Sequence, residues 1–224
     1  MRDVTIVFDL DGTLVDTAPD LIDATNHALS GISLSAVDEQ ELRTWISFGA
    51  RRMLVEALAC HKRSLPDAHV DDLLAEFLAY YEANIANRSR PYPGIVDALD
   101  TLGKRGAKLS ICTNKREALS IRLLEALGLK NRFLAIAGRD TFAVCKPHPD
   151  HLRGAIRLAS GDERRSVMIG DSATDVATAK AAQIPVIAVS FGYTDIPARD
   201  LGAEAVIDCH TALIPALEKL SPMQ

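Results

Sequence analysis

Short apolar runs and amphipathic segments alternate through the second part of this chain, and this alternation restricts the possible folds more than any other feature. The predicted strands span residues 108–112, 134–137, 167–169, 186–189 and 205–207, and the predicted helices around them span 95–104, 117–127, 149–159 and 174–182. Such alternation indicates right-handed βαβ units, and therefore a parallel sheet with helices on both faces. The β-branched run 4–7 predicts one more buried strand of this sheet. We therefore expect an α/β fold with a Rossmann-like parallel sheet.

Residues 16–90 have a helical pattern with no convincing strand. The best example is an apolar stripe with the i, i+3, i+4, i+7 spacing of an amphipathic helix, made by Val70, Leu73, Leu74, Phe77, Leu78 and Tyr81. Another short helix is predicted over residues 50–59. Two prolines and a glycine in residues 90–94 then break the helical pattern. We expect residues 1–15 and 91–224 to form the α/β core, with 16–90 as a helical subdomain inserted into it.

Two aspartates, Asp9 and Asp11, come directly after the predicted first strand. Ligands of open α/β sheets bind at the carboxyl ends of the strands, so this pair lies where a binding or active site is expected. Residues two apart on an extended chain face the same side, and Gly12 allows a sharp turn after them. Two close carboxylates repel each other unless a cation or a shared proton relieves them, and Mg²⁺ is the oxygen-binding ion that fits. The alternative is a turn in which Asp and Gly serve only the backbone geometry.

Polar residues also occur at three later junctions between predicted strands and helices. Thr113 and Asn114 can donate hydrogen bonds to a phosphate at a helix N-terminus, although both residue types are also common helix caps. Lys146, which neighbouring prolines stiffen, can anchor a phosphate, although most lysines are solvated surface charges. Asp171 and Asp175 can complete a metal site, although their spacing also fits a capped helix. Each of these signals has a structural alternative when it is taken alone.

The four motifs D-x-D-G-T, T-N, K-P and G-D-x-x-x-D occur in this order, each after its own predicted strand. In this pattern the chain resembles the haloacid dehalogenase superfamily, and the resemblance covers essentially the whole chain. The helical insertion between the first two motifs resembles the all-helical cap of the first cap class of that superfamily. Residues 8–21, 91–94, 112–115 and 146–149 look particularly like those of the bacterial phosphoglycolate phosphatases.

The resemblance implies a phosphomonoesterase that acts through an aspartyl-phosphate. Asp9 would be the nucleophile, and Asp11 would be the general acid for the leaving oxygen and then the base for the hydrolytic water. Mg²⁺ would be the cofactor, held by Asp9, by the backbone carbonyl of Asp11 and by Asp171. Thr113 and Lys146 would bind the phosphoryl oxygens and offset charge in the transition state.

Two supporting residues and one departure complete this comparison. Asn114 would help to hold the phosphate-binding region, and Asp175 would orient the metal site. Gln183 stands where members of the superfamily commonly carry a glycine that ends a helix, so we expect a less favourable helix end there.

Substrate specificity would come from the cap, because a cap must recognise the part of the substrate beyond the phosphate. The substrate 2-phosphoglycolate presents a carboxylate, which the planar fork of arginine matches bidentately. Arg51 and Arg52 lie at the start of a predicted helix, where adjacent side chains diverge by about 100°. We therefore expect one of the two, Arg51, to bind the substrate carboxylate. The alternative is a solvated helix face.

Other activities are compatible with the same motifs. The substrate could be another small metabolite, such as a sugar phosphate, a nucleotide or pyrophosphate. A phosphomutase of the β-phosphoglucomutase type would share Asp9 and Asp11 and return the phosphoryl group to an intermediate instead of to water. A non-catalytic phosphate-binding protein is the alternative outside catalysis, and the intact set of Asp9, Asp11, Lys146 and Asp171 argues against it.

Composition and charge exclude several classes of partner. A net charge of −5 and a pI near 5.7 argue against nucleic-acid binding, and no apolar stretch is long enough to span a bilayer. The 4 cysteines are scattered without a C-x-x-C pair, which argues against a zinc site or a disulfide framework. We therefore expect a cytoplasmic monomer or homodimer whose partner is a small phosphorylated metabolite.

Overall fold

The computed structural model describes residues 1–220 and divides into two compact units. The first, called here the α/β unit, is made of residues 1–16 and the chain from residue 91 onward. The second, called here the helical unit, is made of residues 17–90. The chain leaves the α/β unit after the strand β2 (Val15–Asp16) and returns at β3 (Arg90–Pro91). Strands of two residues leave no alternating pattern, which is why the sequence did not predict them.

Within the described residues, a sheet of six parallel strands forms the centre of the α/β unit. In spatial order the strands are β5 (Ala135–Ala137), β4 (Lys108–Cys112), β1 (Thr5–Phe8), β6 (Ser166–Gly170), β7 (Val186–Val189) and β8 (Ala205–Ile207). Phe8 at the end of β1 pairs with Ile111 on one side and with Ile169 on the other. The predicted α/β fold with a Rossmann-like sheet is therefore confirmed. The strands β4, β1 and β6 end side by side, at the edge where open α/β sheets bind ligands.

Helices cover the sheet on both faces, as the burial of its strands requires. They are α5 (Ile95–Lys104), α6 (Glu117–Ala126), α7 (Pro149–Leu158), α8 (Ala173–Ala182) and α9 (Leu213–Lys219). Every residue of β1, β6 and β7 is buried, which is typical of parallel strands with both faces covered. The helices α7 and α8 pack on the sheet in one apolar cluster that includes Val7, Leu152, Ile156, Met168, Val176 and Ala179.

Both ends of α8 are determined by local sequence. The helix begins with a capping box, in which Ser172 Oγ accepts a hydrogen bond from Asp175 N and the Asp175 carboxylate accepts one from Ser172 N. The helix ends at Gln183, which has a φ of 60° in the left-handed region that favours glycine. Gln183 therefore ends the helix in a conformation that glycine adopts at lower cost, as expected from the sequence.

The helical unit consists of α1 (Ala18–Gly31), α2 (Glu39–Leu42), α3 (Ala50–Cys60) and α4 (Asp67–Ala83), with a 3-10 helix at Arg43–Phe48. Its core lies between α1 and α4, where the buried residues include Leu21, Ala28, Leu73, Phe77 and Tyr81. The helix α4 contains the whole apolar stripe that the sequence indicated. Among the helices of residues 1–220, none combines the length and the apolar character that crossing a membrane requires.

Candidate active site

The chain leaves the central strand β1 through two aspartates and a tight turn. Asp9 N donates a hydrogen bond to Ile169 O at 2.9 Å, which extends the pairing of β1 with β6 by one residue. Gly12 then has a φ of 83°, and its N–H donates to Val15 O. A Cβ atom at Gly12 would lie 2.6 Å from Asp171 Oδ2. Both the turn and the close approach of Asp171 therefore require glycine at this position.

Three buried carboxylates meet at this end of the sheet. Asp9, Asp171 and Asp175 each offer one oxygen, and these oxygens lie within 4.8 Å of one another. In the metal-free protein, burial raises the pKa of Asp9 to about 6, even though the charge of Lys146 opposes this change. Burial, together with the charges of Asp175 and Asp9, raises the pKa of Asp171 well above its usual range. Three ionised carboxylates this close together are therefore unfavourable unless a positive charge lies beside them.

Lys146 supplies part of that positive charge. Its Nζ lies 2.9 Å from Asp9 Oδ1 and 2.6 Å from Asp175 Oδ1, and its side chain is buried. Burial alone would lower the pKa of Lys146, but the carboxylates of Asp175 and Asp9 raise it above its usual range. The lysine is therefore charged at neutral pH. It faces Asp9, which is the residue that the sequence motifs predict as the nucleophile.

His151 holds the loop that carries Lys146. Its Nδ1 accepts a hydrogen bond from Lys146 N at 3.1 Å, and its Nε2 lies 3.0 Å from Gly138 O. Burial, followed by the charge of Lys146, lowers the pKa of His151 to about 4, so the ring is neutral at neutral pH. A neutral ring with an accepting Nδ1 donates from Nε2 to the carbonyl. This residue was not predicted from the sequence, in which the only signal is a histidine in the first turn after the K-P motif.

Hydrogen bonds orient the carboxylates of Asp171 and Asp175 in different ways. Asp171 accepts one from Thr13 Oγ1 at 3.1 Å and one from Tyr193 N at 2.7 Å. Asp175 accepts from the buried lysine on one oxygen, and on the other from Ser172 Oγ at 2.7 Å and from the N–H groups of Ser172 and Asp171. Asp175 accepts four hydrogen bonds, one of them from the charged lysine, whereas each oxygen of Asp171 accepts one, so Asp175 is suited to supporting its neighbours. Asp9 and Asp171 are better suited as metal ligands.

The donor set fits a divalent cation. Asp9 Oδ1 is buried and makes no hydrogen bond within the described part of the chain, although it forms the ion pair with Lys146. Carboxylate oxygens are the ligands that Mg²⁺ prefers. A cation beside Asp9 and Asp171 would offset the repulsion between them and favour their ionised forms.

Asp11 pairs with a residue that the sequence analysis did not single out. Lys115 Nζ lies 3.0 Å and 3.2 Å from the two carboxylate oxygens of Asp11. The other residues of the second motif connect this region to the rest of the site. Thr113 is buried and its Oγ1 accepts from Lys115 N at 3.2 Å, while Asn114 Nδ2 donates to Lys146 O at 3.0 Å. The signal for Lys115 in the sequence was its position directly after the predicted Thr113 and Asn114.

Arg51 belongs to the helical unit, where it lies near the start of α3. Its guanidinium donates to Asp67 at 2.7 Å and also pairs with Asp71, one turn further along α4. The hydrogen bond that Arg51 donates to Asp67 raises the pKa of the guanidinium, which is therefore charged. The neighbouring Arg52 pairs with Glu56 of its own helix instead. The structure thus gives Arg51 two carboxylate partners, and its contact with a substrate stays a prediction.

The chain matches known proteins over most of its length. The family model described as haloacid dehalogenase-like hydrolase matches residues 6–189. A phosphoglycolate phosphatase of Mesorhizobium japonicum is 55% identical over 208 residues, which cover 93% of this chain and 92% of that protein. A phosphoglycolate phosphatase of Agrobacterium fabrum is 47% identical, over 96% of this chain and 92% of that protein. A crystal structure described as a predicted phosphoglycolate phosphatase from Haemophilus somnus has a TM-score of 0.88 and 28% identity, covering 96% of this chain and 97% of that one.

Proposed function

The chain belongs to the haloacid dehalogenase-like hydrolase family, and we propose that this phosphatase hydrolyses 2-phosphoglycolate to glycolate and phosphate with Mg²⁺ as its cofactor. The observation that carries the proposal is the convergence of Asp9, Asp171 and Lys146 at the end of the central strand. Such a set supplies a carboxylate nucleophile, a metal ligand and a cation for one phosphoryl group. The names of the relatives from M. japonicum and A. fabrum support the choice of substrate.

Asp9 is the nucleophile in this proposal. One of its carboxylate oxygens attacks phosphorus in line while the bond from phosphorus to the leaving oxygen breaks, so the phosphoryl group is transferred to Asp9. Water then attacks the same phosphorus, and the bond to Asp9 breaks to give phosphate and the free carboxylate. Lys146 and Thr113 bind the phosphoryl oxygens and offset the charge that they carry in both transition states.

Asp11 moves the protons of both steps. It gives a proton to the leaving oxygen as glycolate departs, and it takes a proton from the attacking water in the second step. Asp11 lies two residues after Asp9, so its side chain can act beside the nucleophile without competing for phosphorus. The contact with Lys115 holds the carboxylate of Asp11 in one place beside the nucleophile, and so supports its position there.

Asp9, Asp171 and the backbone carbonyl of Asp11 would hold the Mg²⁺ ion. When bound, the ion offsets the repulsion between the anionic nucleophile and the anionic phosphate. Asp175 orients this part of the site through the N–H of Asp171, and Asn114 ties the second motif to the lysine loop. The donor set and the raised pKa of Asp9 in the metal-free protein both support a cation at this position.

The helical unit, residues 17–90, is proposed as a cap that recognises the carboxylate of the substrate through Arg51. In the structure Arg51 pairs with Asp67 and Asp71, so binding a substrate carboxylate would replace one acidic partner with another. Arginine suits such an exchange because its guanidinium is always charged and matches carboxylates bidentately. A cytoplasmic location and a monomeric or homodimeric state stay predictions of the sequence analysis.

The proposal is tested by ranking phosphomonoesters by kcat/KM with and without Mg²⁺. We expect the highest value for 2-phosphoglycolate, no turnover in EDTA, and recovery when Mg²⁺ is added back. A higher value for a sugar phosphate, a nucleotide or pyrophosphate would contradict the choice of substrate. Formation of an isomeric phosphate ester in place of inorganic phosphate would indicate a phosphomutase, and full turnover in EDTA would contradict the role of the metal.

A further inference from the structure

The ammonium of Lys115 lies beside the proposed reacting atoms. Its Nζ contacts both oxygens of Asp11, at 3.0 Å and 3.2 Å. Its side chain is only 6% exposed, so this lysine is not an ordinary solvated surface charge. A buried ammonium is unfavourable unless an anion faces it, and Asp11 meets that requirement in the free protein.

The backbone around Lys115 is held firmly. Lys115 N donates to Thr113 Oγ1 at 3.2 Å, and Lys115 O accepts from Arg139 N at 2.9 Å. Gly138 packs against the same loop, since a Cβ atom there would lie 2.2 Å from Glu117 N and 2.8 Å from Lys115 O. The base of the side chain is therefore fixed, while its four-carbon stem can still rotate between neighbouring anions.

The chemistry of 2-phosphoglycolate brings a second anion to this position. As the general acid, Asp11 must contact the leaving oxygen at a hydrogen-bond distance of about 2.7 Å. In this substrate the leaving oxygen is bonded to a methylene carbon, which is bonded directly to the carboxylate. The carboxylate therefore enters the site next to Asp11, whose oxygens the Lys115 ammonium already contacts.

We propose that Lys115 is a specificity-determining residue whose ammonium binds the carboxylate of the substrate. In the free enzyme the ammonium of Lys115 pairs with Asp11. In the complex it donates hydrogen bonds both to Asp11 and to the substrate carboxylate. This inference rests on the proposed function and adds a recognition residue in the α/β unit to Arg51 in the helical unit. Lys146 lies against the proposed nucleophile Asp9 and is assigned to the phosphoryl oxygens, so it does not serve the carboxylate.

The test compares 2-phosphoglycolate with 2-hydroxyethyl phosphate, which keeps the two-carbon leaving group and replaces the carboxylate by a hydroxymethyl group. The readout is the ratio of the two kcat/KM values. Lys115→Met removes the charge at similar length and should lower this ratio about tenfold to a hundredfold, the size of one hydrogen bond between charged groups. Lys115→Arg keeps the charge and should retain more of the ratio. The control Lys130→Met removes an exposed lysine that pairs with Glu125, and should leave the ratio unchanged.

Equal losses for the two substrates in Lys115→Met would overturn the inference, because a residue that only holds Asp11 in place would have that effect. If the wild type has a high ratio and Lys115→Met keeps it, the inference about Lys115 is wrong, while the choice of 2-phosphoglycolate still stands. A wild-type ratio near one would contradict the choice of 2-phosphoglycolate itself, and the inference with it. Thermal unfolding of each variant checks the fold, and Lys115→Gln provides the same comparison if the methionine variant does not fold.

Discussion

Replacing Asp9 by asparagine should stabilise the metal-free protein and at the same time abolish turnover. Asp9 is buried, contacts Lys146 and lies close to two further carboxylates. The substitution keeps the size of the side chain and removes its charge, so asparagine approximates the protonated carboxyl group. Stability and activity are therefore expected to change in opposite directions, as they often do at an active site.

The size of the effect follows from the pKa of Asp9, which burial raises from 3.8 to about 6. A tenfold change in proton affinity corresponds to about 1.4 kcal/mol, so the ionised Asp9 destabilises the folded protein by about 3 kcal/mol at neutral pH. The folded state binds this proton more tightly than the unfolded state does. The penalty is therefore fully present above pH 6, decreases as the pH falls, and is absent below pH 3.8.

Urea unfolding in EDTA measures this difference directly. At neutral pH the Asp9→Asn protein should have the larger free energy of unfolding, and at about pH 4 the two proteins should be nearly equal. Added Mg²⁺ should stabilise the wild type more than the variant, because the variant lacks the carboxylate proposed as a ligand. The control Asp100→Asn removes a carboxylate that Arg132 stabilises at the surface, and should make the protein slightly less stable. An Asp9→Asn protein no more stable than the wild type in EDTA at neutral pH would refute the reasoning.

Three further predictions concern separate parts of the molecule. Asp11→Asn should slow aspartyl-phosphate formation strongly with 2-phosphoglycolate but less with p-nitrophenyl phosphate, whose leaving group needs no proton. Burst kinetics measure this step, and equal losses of rate with the two substrates would argue against Asp11 as the acid. Arg51→Ala should lower kcat/KM more for 2-phosphoglycolate than for p-nitrophenyl phosphate. An equal drop for both substrates would indicate damage to the helical unit, and no drop for either would show that Arg51 does not bind the substrate. Gln183→Gly should raise the free energy of unfolding by about 0.5–1 kcal/mol in urea, because glycine tolerates the φ of 60° there, whereas Gln183→Ala should give no such gain.

The fold could be predicted because its signals are local. The strands β4, β7 and β8 and the helix α5 begin and end at the predicted residues, since each is an apolar run or an amphipathic segment between breakers. Parallel strands that alternate with helices then leave few possible topologies. The two-residue strands β2 and β3 could not be predicted, because they are too short to form a pattern.

The site could be predicted only where its residues occupy strand ends. Asp9 and Asp171 meet as the topology requires, because β1 lies beside β6 in the sheet, whereas Lys146 reaches them from the loop that precedes α7. The partner of Asp11 could not be predicted, because Lys115 lies 104 residues away and a lysine next to a motif carries no signal of its own. The partners of Arg51 could not be predicted either, because they depend on how the helices α3 and α4 pack.

The role of His151 could not be predicted from the sequence either. Its ring is neutral and buried, and it acts by bridging two backbone groups, Lys146 N and Gly138 O. Such a role depends on the path of two loops in space and leaves no residue pattern in the sequence. The residues proposed to react directly can therefore be found from motifs, whereas the residues proposed to position them require the structure.

The central claim is that Asp9 carries the phosphoryl group during turnover. The most direct test is an acid quench of the Asp11→Asn protein during turnover of p-nitrophenyl phosphate with Mg²⁺, followed by peptide mass spectrometry. This variant should form the intermediate readily and lose it slowly, because the base for the hydrolytic water is missing. We predict a hydroxylamine-sensitive phosphoryl adduct on the peptide that contains Asp9, and none when Asp9 is also replaced by asparagine. An adduct on another residue, or an Asp9→Asn protein that retains more than about a hundredth of the wild-type kcat, would contradict the account.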